Sequence, residues 1–173
     1  MDSIEQRLIP TLPPTITVCH FRRSQAAELA RRLEDINPPV FGLSIRLSSD
    51  AVESIALATS NEVFLLKIET GDRKKQPSLA AFDPLINLDG FTLAAFEMAH
   101  VALHIFRDLK QHLQGIDLST LLSSSAGKPW QPSKFVAQKL YYDIRKADVD
   151  RLWEGDPECG FREVCLRAWL SAW

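Results

Sequence analysis

Hydrophobic positions along the chain switch repeatedly between two spacings, and the switches mark the elements. Residues 15–20, reading Thr-Ile-Thr-Val-Cys-His, alternate β-branched and smaller side chains and predict a short strand. From Ser24, a candidate cap, the apolar positions Ala26, Ala27, Leu29, Ala30 and Leu33 follow helical spacing, and Asn37-Pro38-Pro39 stops that helix near residue 35. A period of two then takes over across 40–47, 52–59 and 62–68. Ser48-Ser49-Asp50 and the tight Ser60-Asn61 corner separate these runs, so three consecutive strands with short links predict an antiparallel meander.

Beyond the polar stretch 70–76, a weak helix over 77–86 leads to a short apolar strand over 91–96. Met98, Ala102, Ile105, Leu109 and Leu113 form one stripe of a helix over 98–113, which Gly115 ends. Residues 116–121 read as a strand or extended run, 123–127 as a loop, and 133–146 as a helix opened by Lys128-Pro129-Trp130-Gln131-Pro132. The last helix, 161–173, places Phe161, Val164, Cys165, Ala168, Trp169 and Ala172 on one face. Residues 1–14 carry three prolines and no sustained period, so they read as an extended lead-in to a single domain over 15–173. Its terminal Trp173 reads as a truncated or partner-buried end. The element order predicts an α/β fold, a mixed sheet with an antiparallel three-strand meander flanked by helices, and excludes a purely parallel doubly wound sheet.

Composition narrows the function classes. The chain has 173 residues, 46% hydrophobic and 24% charged, ordinary values for one soluble domain with a core of its own. Twenty Lys and Arg against 22 Asp and Glu give a net charge of −2, which removes the whole-chain electrostatic footprint of a protein that grips nucleic acid through phosphates. The clusters Arg22-Arg23, Arg31-Arg32 and Arg73-Lys74-Lys75 read as solvated turns and helix faces. Three cysteines, Cys19, Cys159 and Cys165, without a CxxC pair predict a reducing, intracellular compartment rather than a disulfide framework or a thiolate zinc site. The N-terminus lacks the basic start and apolar run of a signal peptide, and no stretch is apolar enough to span a membrane.

Few motifs carry chemistry. His100, His104 and His112, with Asp108 among them, lie along one helix face, but a metal needs ligands from elsewhere too, and the face opposite the apolar stripe predicts solvent-facing histidines. No GxSxG motif or glycine-rich phosphate loop is present. Asp35, Asp50, Asp72, Asp83, Asp89, Asp148 and Asp150 fall in turns or on polar faces and read as solvated. Trp130, Trp153, Trp169 and Trp173 cluster near the C-terminus and read as core rather than as a base-stacking platform, with Trp173 the most exposed.

The run from Ile16 to Ile68 resembles the opening of 3′–5′ exonuclease domains of the ribonuclease D and Werner-exonuclease type. Those domains carry a strand like V-x-G-F-D-x-E, then V-A-L-I-Q-L-A, then x-x-Y-L-F. The corresponding pieces here are Val40-Phe41-Gly42-Leu43-Ser44-Ile45-Arg46, Val52-Glu53-Ser54-Ile55-Ala56-Leu57-Ala58-Thr59 and Val63-Phe64-Leu65-Leu66. The resemblance implies a ribonuclease H-like fold in which four carboxylates hold two divalent metals. At the positions matching the first Asp and Glu stand Ser44 and Arg46, a poor magnesium ligand and a fixed positive charge. The second carboxylate would fall near Ala99-His100-Val101. The third motif, Tyr or His followed four residues later by Asp, meets Cys165 and Trp169, and Tyr142 followed by Lys146 does not supply it.

The resulting expectation is a catalytically degenerate exonuclease-like domain with no catalytic residue and no cofactor. It would act as a module that associates weakly with RNA or DNA, or with a protein partner or a second copy through the C-terminal helix. Leu170 and Trp173 are the predicted partner surface. Two rivals stand beside it: an active exonuclease using magnesium or manganese on relocated carboxylates drawn from Asp50, Glu53, Glu97, Asp108 and Asp117, and a pure interaction scaffold.

Overall fold

The computed structural model describes residues 1–10, 12–36, 39–68, 91–121, 132–140, 144–154 and 160–173. Among them the strands are β1 (Asp2–Glu5), β2 (Thr15–Arg22), β3 (Val40–Ser48), β4 (Ala51–Ala58), β5 (Glu62–Lys67), β6 (Thr92–Ala95) and β7 (Ile116–Asp117). The helices are α1 (Ala26–Ile36), α2 (Met98–Leu109), α3 (Pro132–Leu140), α4 (Lys146–Glu154) and α5 (Phe161–Ser171). The strands form one seven-stranded sheet in the order β1-β2-β5-β4-β3-β6-β7. β3, β4 and β5 make the antiparallel meander, β2 joins β5 in parallel, and β6 and β7 continue in parallel beyond β3. The fold is α/β with a mixed sheet, as the switch of periods predicts.

Because strand side chains alternate, each strand feeds two cores. Phe64 and Leu66 of β5 join Leu43 and Ile45 of β3, Ile55 and Leu57 of β4, and the buried faces of α1 and α2. Val63 and Leu65 of β5 join Ala56 and Ala58 of β4 and the buried faces of α4 and α5 on the opposite side. The second face has an unusual feature: Gly42 pairs with Ala58 on one side and Ala94 on the other, and Ser44 pairs with Ala56. These small side chains form a shallow trough across three strands, and α5 lies in it with the Ala168 carbonyl directly over Gly42. Trp169, 1% exposed, is the largest side chain of that seat, and its indole N–H donates to the Ser60 carbonyl at 2.8 Å, tying α5 to the β4–β5 corner.

The β3–β4 link is a two-residue turn, Ser49-Asp50, with φ of 47° and 68°. Two positive φ values give the backbone twist that a tight hairpin needs. The turn is held from α2: the Asp108 carboxylate accepts the Val52 N–H at 2.8 Å, and Arg107, paired with Asp108 at 2.7 Å, donates to the Asp50 carbonyl. Just below the turn the register slips, Arg46 opposing Ser54 while Leu47 opposes Val52. Glu53 is therefore the extra residue of a β-bulge.

Several sequence expectations change. The lead-in over 1–14 contains an edge strand, β1, antiparallel to β2, with Ile4, Leu8 and Ile9 buried. Gln6 organises the segment beyond that strand, since its amide oxygen accepts the N–H groups of Leu8 and Ile9 and its NH2 donates to Pro13. A single buried side chain has no period, which is why the segment reads as structureless. Ser24 lies inside a 3-10 turn, Arg23–Gln25, and does not cap α1. α2 ends at Leu109 rather than 113, because Lys110 takes a left-handed conformation with φ 56°; Leu113 packs on the core from the residues after the helix. Residues 116–121 hold only a two-residue strand. The helix expected over 133–146 is α3, which ends at Leu140, and α4 was not anticipated. The weak helix over 77–86, the polar stretch 70–76, the loop 123–127, Trp130, Tyr142 and Cys159 lie outside the described residues.

Candidate functional site

Ser44 is the middle residue of β3, on the α5 face of the sheet, and is 6% exposed. It lines an open pocket of about 270 Å3 together with Glu97, His100, Trp153 and Arg167. Four elements bring these groups together: β3 supplies Ser44, the start of α2 supplies His100, α4 supplies Trp153 and α5 supplies Arg167. Glu97 occupies the β6–α2 turn with φ 57° and ψ 44°, the left-handed region that a side chain enters at a cost of about 1 kcal/mol or more. His100 and Val101 donate their N–H groups to the Glu97 carbonyl, which starts the helix without a side-chain cap.

Arg46, two residues along β3, opens into a different space. The bulge turns Glu53 to the same face, and the Arg46 guanidinium Nε lies 3.1 Å from the Glu53 carboxylate. The two atoms are close enough for an ion pair but not aligned for a hydrogen bond, and neither has another partner. This pair lines a groove of about 520 Å3 with Lys67, Phe161 and a second pair, His20 to Asp2 at 2.9 Å.

The positions singled out from the sequence are thus partly gathered. Ser44 and the start of α2 share a pocket, whereas Arg46 is drawn off to Glu53. Cys165 and Trp169 are 0% and 1% exposed and do not line the Ser44 pocket; burial, with the nearby Glu163 charge, pushes the Cys165 thiol up to about 12. The residue of α5 that does face Ser44 is Arg167, whose guanidinium also donates to the Leu152 carbonyl. No sequence signal marked it, because its position follows from the rotation of α5 in the glycine–alanine trough. Of the carboxylates named as alternatives, Asp50 and Asp108 gather around Arg107, Glu53 pairs with Arg46, and Asp117 accepts the N–H of Ser119 at 2.9 Å in a turn. Glu97 alone lines the Ser44 pocket. Among the described residues, no three His, Cys, Asp or Glu side chains come together in a way that could hold a metal ion.

Three further expectations are corrected. His104 is buried, 7% exposed, rather than solvent-facing, because the buried face of α2 runs through Met98, Val101, His104, Ile105 and Leu109 and passes by Ala102. Its Nδ1 has no hydrogen-bond partner, and its ring lies 4.4 Å from that of His100. Burial, reinforced by His100 and Arg107, lowers its pKa from the usual histidine value. Leu170, assigned to a partner surface, is 0% exposed: it belongs to the core beneath α5, since that helix is covered on more than one face by the sheet and α4. Trp173 remains 39% exposed, edge-on to Trp169 at 6.1 Å, and Phe161, assigned to the docked face, is exposed.

No family model matches the chain, and no curated protein matches it in sequence. Among solved structures it is similar to Escherichia coli RNase D, an exoribonuclease involved in structured RNA processing, with a TM-score of 0.62 and 12% identity over 90% of this chain and 42% of that one. The fold is ribonuclease H-like, of the 3′–5′ exonuclease type. Its span is less than half the length of RNase D. The EXD2 exonuclease domain, in crystals soaked in magnesium and GMP, matches with a TM-score of 0.48 and 15% identity over 73% of this chain and 70% of that domain. At such identities the likeness is one of fold. Within this exonuclease-type fold, no helix among the described residues is long and apolar enough to cross a membrane.

Proposed function

We propose that this chain is a catalytically degenerate 3′–5′ exonuclease-type domain that works as a non-catalytic, nucleic-acid-associated module. The observation that carries this is the fate of the two β3 positions at which the resemblance expects metal-binding carboxylates. One is the hydroxyl of Ser44, with the Arg167 guanidinium lining the same pocket; the other is Arg46, paired with a bulge glutamate. Divalent ions of the magnesium type take several oxygen ligands, usually carboxylates. A pocket offering one carboxylate, Glu97, beside a fixed guanidinium charge does not fit a two-metal centre, and no reaction step is assigned to one. Asp50 and Asp108 gather around Arg107, Glu53 pairs with Arg46, and no three carboxylates among the described residues converge, which speaks against relocated carboxylates and favours the non-catalytic reading over the active one.

The test is incubation of the chain with labelled single-stranded RNA and DNA in magnesium or manganese, with binding followed in parallel by fluorescence anisotropy. The expected result is a retained, full-length strand and no tight manganese site by calorimetry. Chelator-sensitive shortening from the 3′ end would overturn the reading. The Ser44→Asp/Arg46→Glu variant is expected to stay inactive, because Arg167 remains in the pocket and the carboxylate introduced by Ser44→Asp is joined there by Glu97 alone.

A further inference from the structure

A second open groove, about 360 Å3, shares no lining residue with the Ser44 pocket. It lies where the N-terminal segment, the start of α4 and the start of α5 meet, over the buried Leu8, Leu152 and Leu166. Arg7, Arg145, Arg151 and Arg162 line it together with Asp148 and Glu163. Among the described residues, four guanidinium groups against two carboxylates leave an excess of two positive charges in the groove of a chain whose net charge is −2. None of the basic clusters visible in the sequence contributes. These arginines come from positions 7, 145, 151 and 162, and only the packing of β1, α4 and α5 brings them together.

Their charges are unevenly engaged. Arg7 is held by the Glu5 carboxylate through contacts of 2.9–3.1 Å, and Arg151 lies 3.6 Å from Asp148, both at exposed side chains. Exposed pairs of this kind are worth little and exchange readily for a better anion. Arg162 is oriented by donating to the Glu5 backbone carbonyl at 3.0 Å and has no carboxylate partner among the described residues. Arg145, whose N–H donates to the Leu8 carbonyl at 3.0 Å, has none either. The larger 520 Å3 groove differs in this respect, since its Asp2–His20 and Arg46–Glu53 pairs are already closed on each other.

We infer that the arginine groove holds the sugar–phosphate backbone of a single nucleic-acid strand. Guanidinium forks match phosphate oxygens two at a time, and a concave, positively charged channel tracks a single strand, whereas a duplex is read by an element that protrudes into its grooves. Among the described residues no aromatic side chain lines the groove, so the contacts they offer fall on the backbone and carry little base preference. The inference rests on the nucleic-acid-associated reading above and assigns its surface: binding occurs away from the Ser44 pocket.

The test measures anisotropy of a labelled oligouridylate and a labelled oligothymidylate against salt concentration. Each phosphate neutralised in a single strand contributes about −0.7 to the slope of log affinity against log salt, so Arg145→Ala/Arg162→Ala should flatten the slope by about 1.4 and weaken both strands alike. Arg145→Ala/Arg151→Ala, which removes no backbone contact, is expected to do the same and serves if loss of the Arg162 bond to Glu5 disturbs the fold. Arg31→Ala, on the exposed face of α1, should leave affinity and slope unchanged. If the unaltered chain binds and both double variants keep its full slope and affinity, the groove is not the surface, although the binding reading stands. If the unaltered chain binds neither strand at any salt, both fall. Displacement of the strand by an oligoglutamate of equal length and concentration would overturn the nucleic-acid assignment in favour of an acidic polypeptide.

Discussion

Replacing Gly42 by Ala adds one methyl group at the point where α5 touches the sheet. The added Cβ would lie 1.9 Å from the Ala168 carbonyl oxygen, 2.5 Å from the Ala172 nitrogen and 2.9 Å from the Ser171 carbonyl carbon. The first of these is about 1.6 Å short of an ordinary contact near 3.5 Å. All three obstacles are backbone atoms, so no rotamer change relieves them and the helix itself must retreat. A gap of even 0.5–1 Å forfeits about a quarter to a half of the dispersion attraction at each contact. Here the loss falls on Leu166, Ala168, Trp169 and Leu170 together, all fully or almost fully buried. Overpacking a core costs about 1–3 kcal/mol and occasionally more, and the immobile partner places this case at about 3–5 kcal/mol. For a chain of this length that is a fall in Tm of roughly 6–20 °C. Thermal and urea unfolding followed by circular dichroism measure it. Gly160→Ala is the matched control: its Cβ would meet only the mobile Glu163 carboxylate, and a loss of about 1 kcal/mol or less is expected. A Gly42→Ala variant as stable as the Gly160→Ala variant would refute the seating of α5 in the glycine–alanine trough.

The two C-terminal tryptophans should separate in the same assay. Trp169→Ala is expected to cost about 3–5 kcal/mol, because a fully buried ring is lost and the Ser60 carbonyl loses its donor, while Trp173→Ala costs well under half of that; equal losses would show that Trp173 is core. Stability should also fall as pH drops below about 6.5, the pKa of an unperturbed histidine. The folded state holds His104 below its ordinary pKa, so between the two values the unfolded chain binds the proton and the folded one does not, whereas stability above that window is unaffected. His104→Gln should flatten this part of the pH profile, and an unchanged slope would place the titrating group elsewhere.

Much of the architecture is legible in the sequence because it rests on repetition. The meander announces itself through three period-two runs, and α5 through its apolar face. The features that escape depend on single residues acting once. β1 is ordered by Gln6, α2 is ended by the backbone of Lys110 despite an apolar Leu113 further on, and the α2 face is rotated by one position so that His104 is inside. The site obeys the same rule. That Ser44 and Arg46 stand where the resemblance expects carboxylates, and that the start of α2 comes near, follows from the resemblance rather than from the strand pattern. Arg167 is legible in neither, since neighbouring positions on α5 differ in depth by the rotation of one helix, and a helical period drawn from apolar residues gives no partner for its polar face. Glu53 is named among the candidate carboxylates, but its pairing with Arg46 is missed because a bulge reverses the side to which a strand residue points, and periodicity assumes that no residue is added.

The exonuclease-type fold and the chemistry expected of it rest on different residues, which is why one can be present without the other. α5 is held by Gly42, Ala56, Ala58 and Ala94 below and by Trp169, Leu166 and Leu170 within, none of which would touch a metal. The pocket beside that seat draws on Ser44, Glu97, His100 and Arg167, which contribute little to the core. A cluster of carboxylates without its ions is self-repelling, so exchanging such residues for a hydroxyl and a guanidinium relieves charge repulsion and leaves packing unchanged. On the degenerate reading proposed above, Arg46 is a second obstacle to a metal centre at β3. A glutamate at that position would face Glu53 at ion-pair distance, like charge against like, so reinstating one acidic residue would create a repulsion that the present bulge resolves. On that reading, building a metal centre at these positions would require changing the bulge and Arg167 as well as Ser44 and Arg46, whereas the sheet, the hairpin pinned by Asp108 and the seat of α5 would need no change.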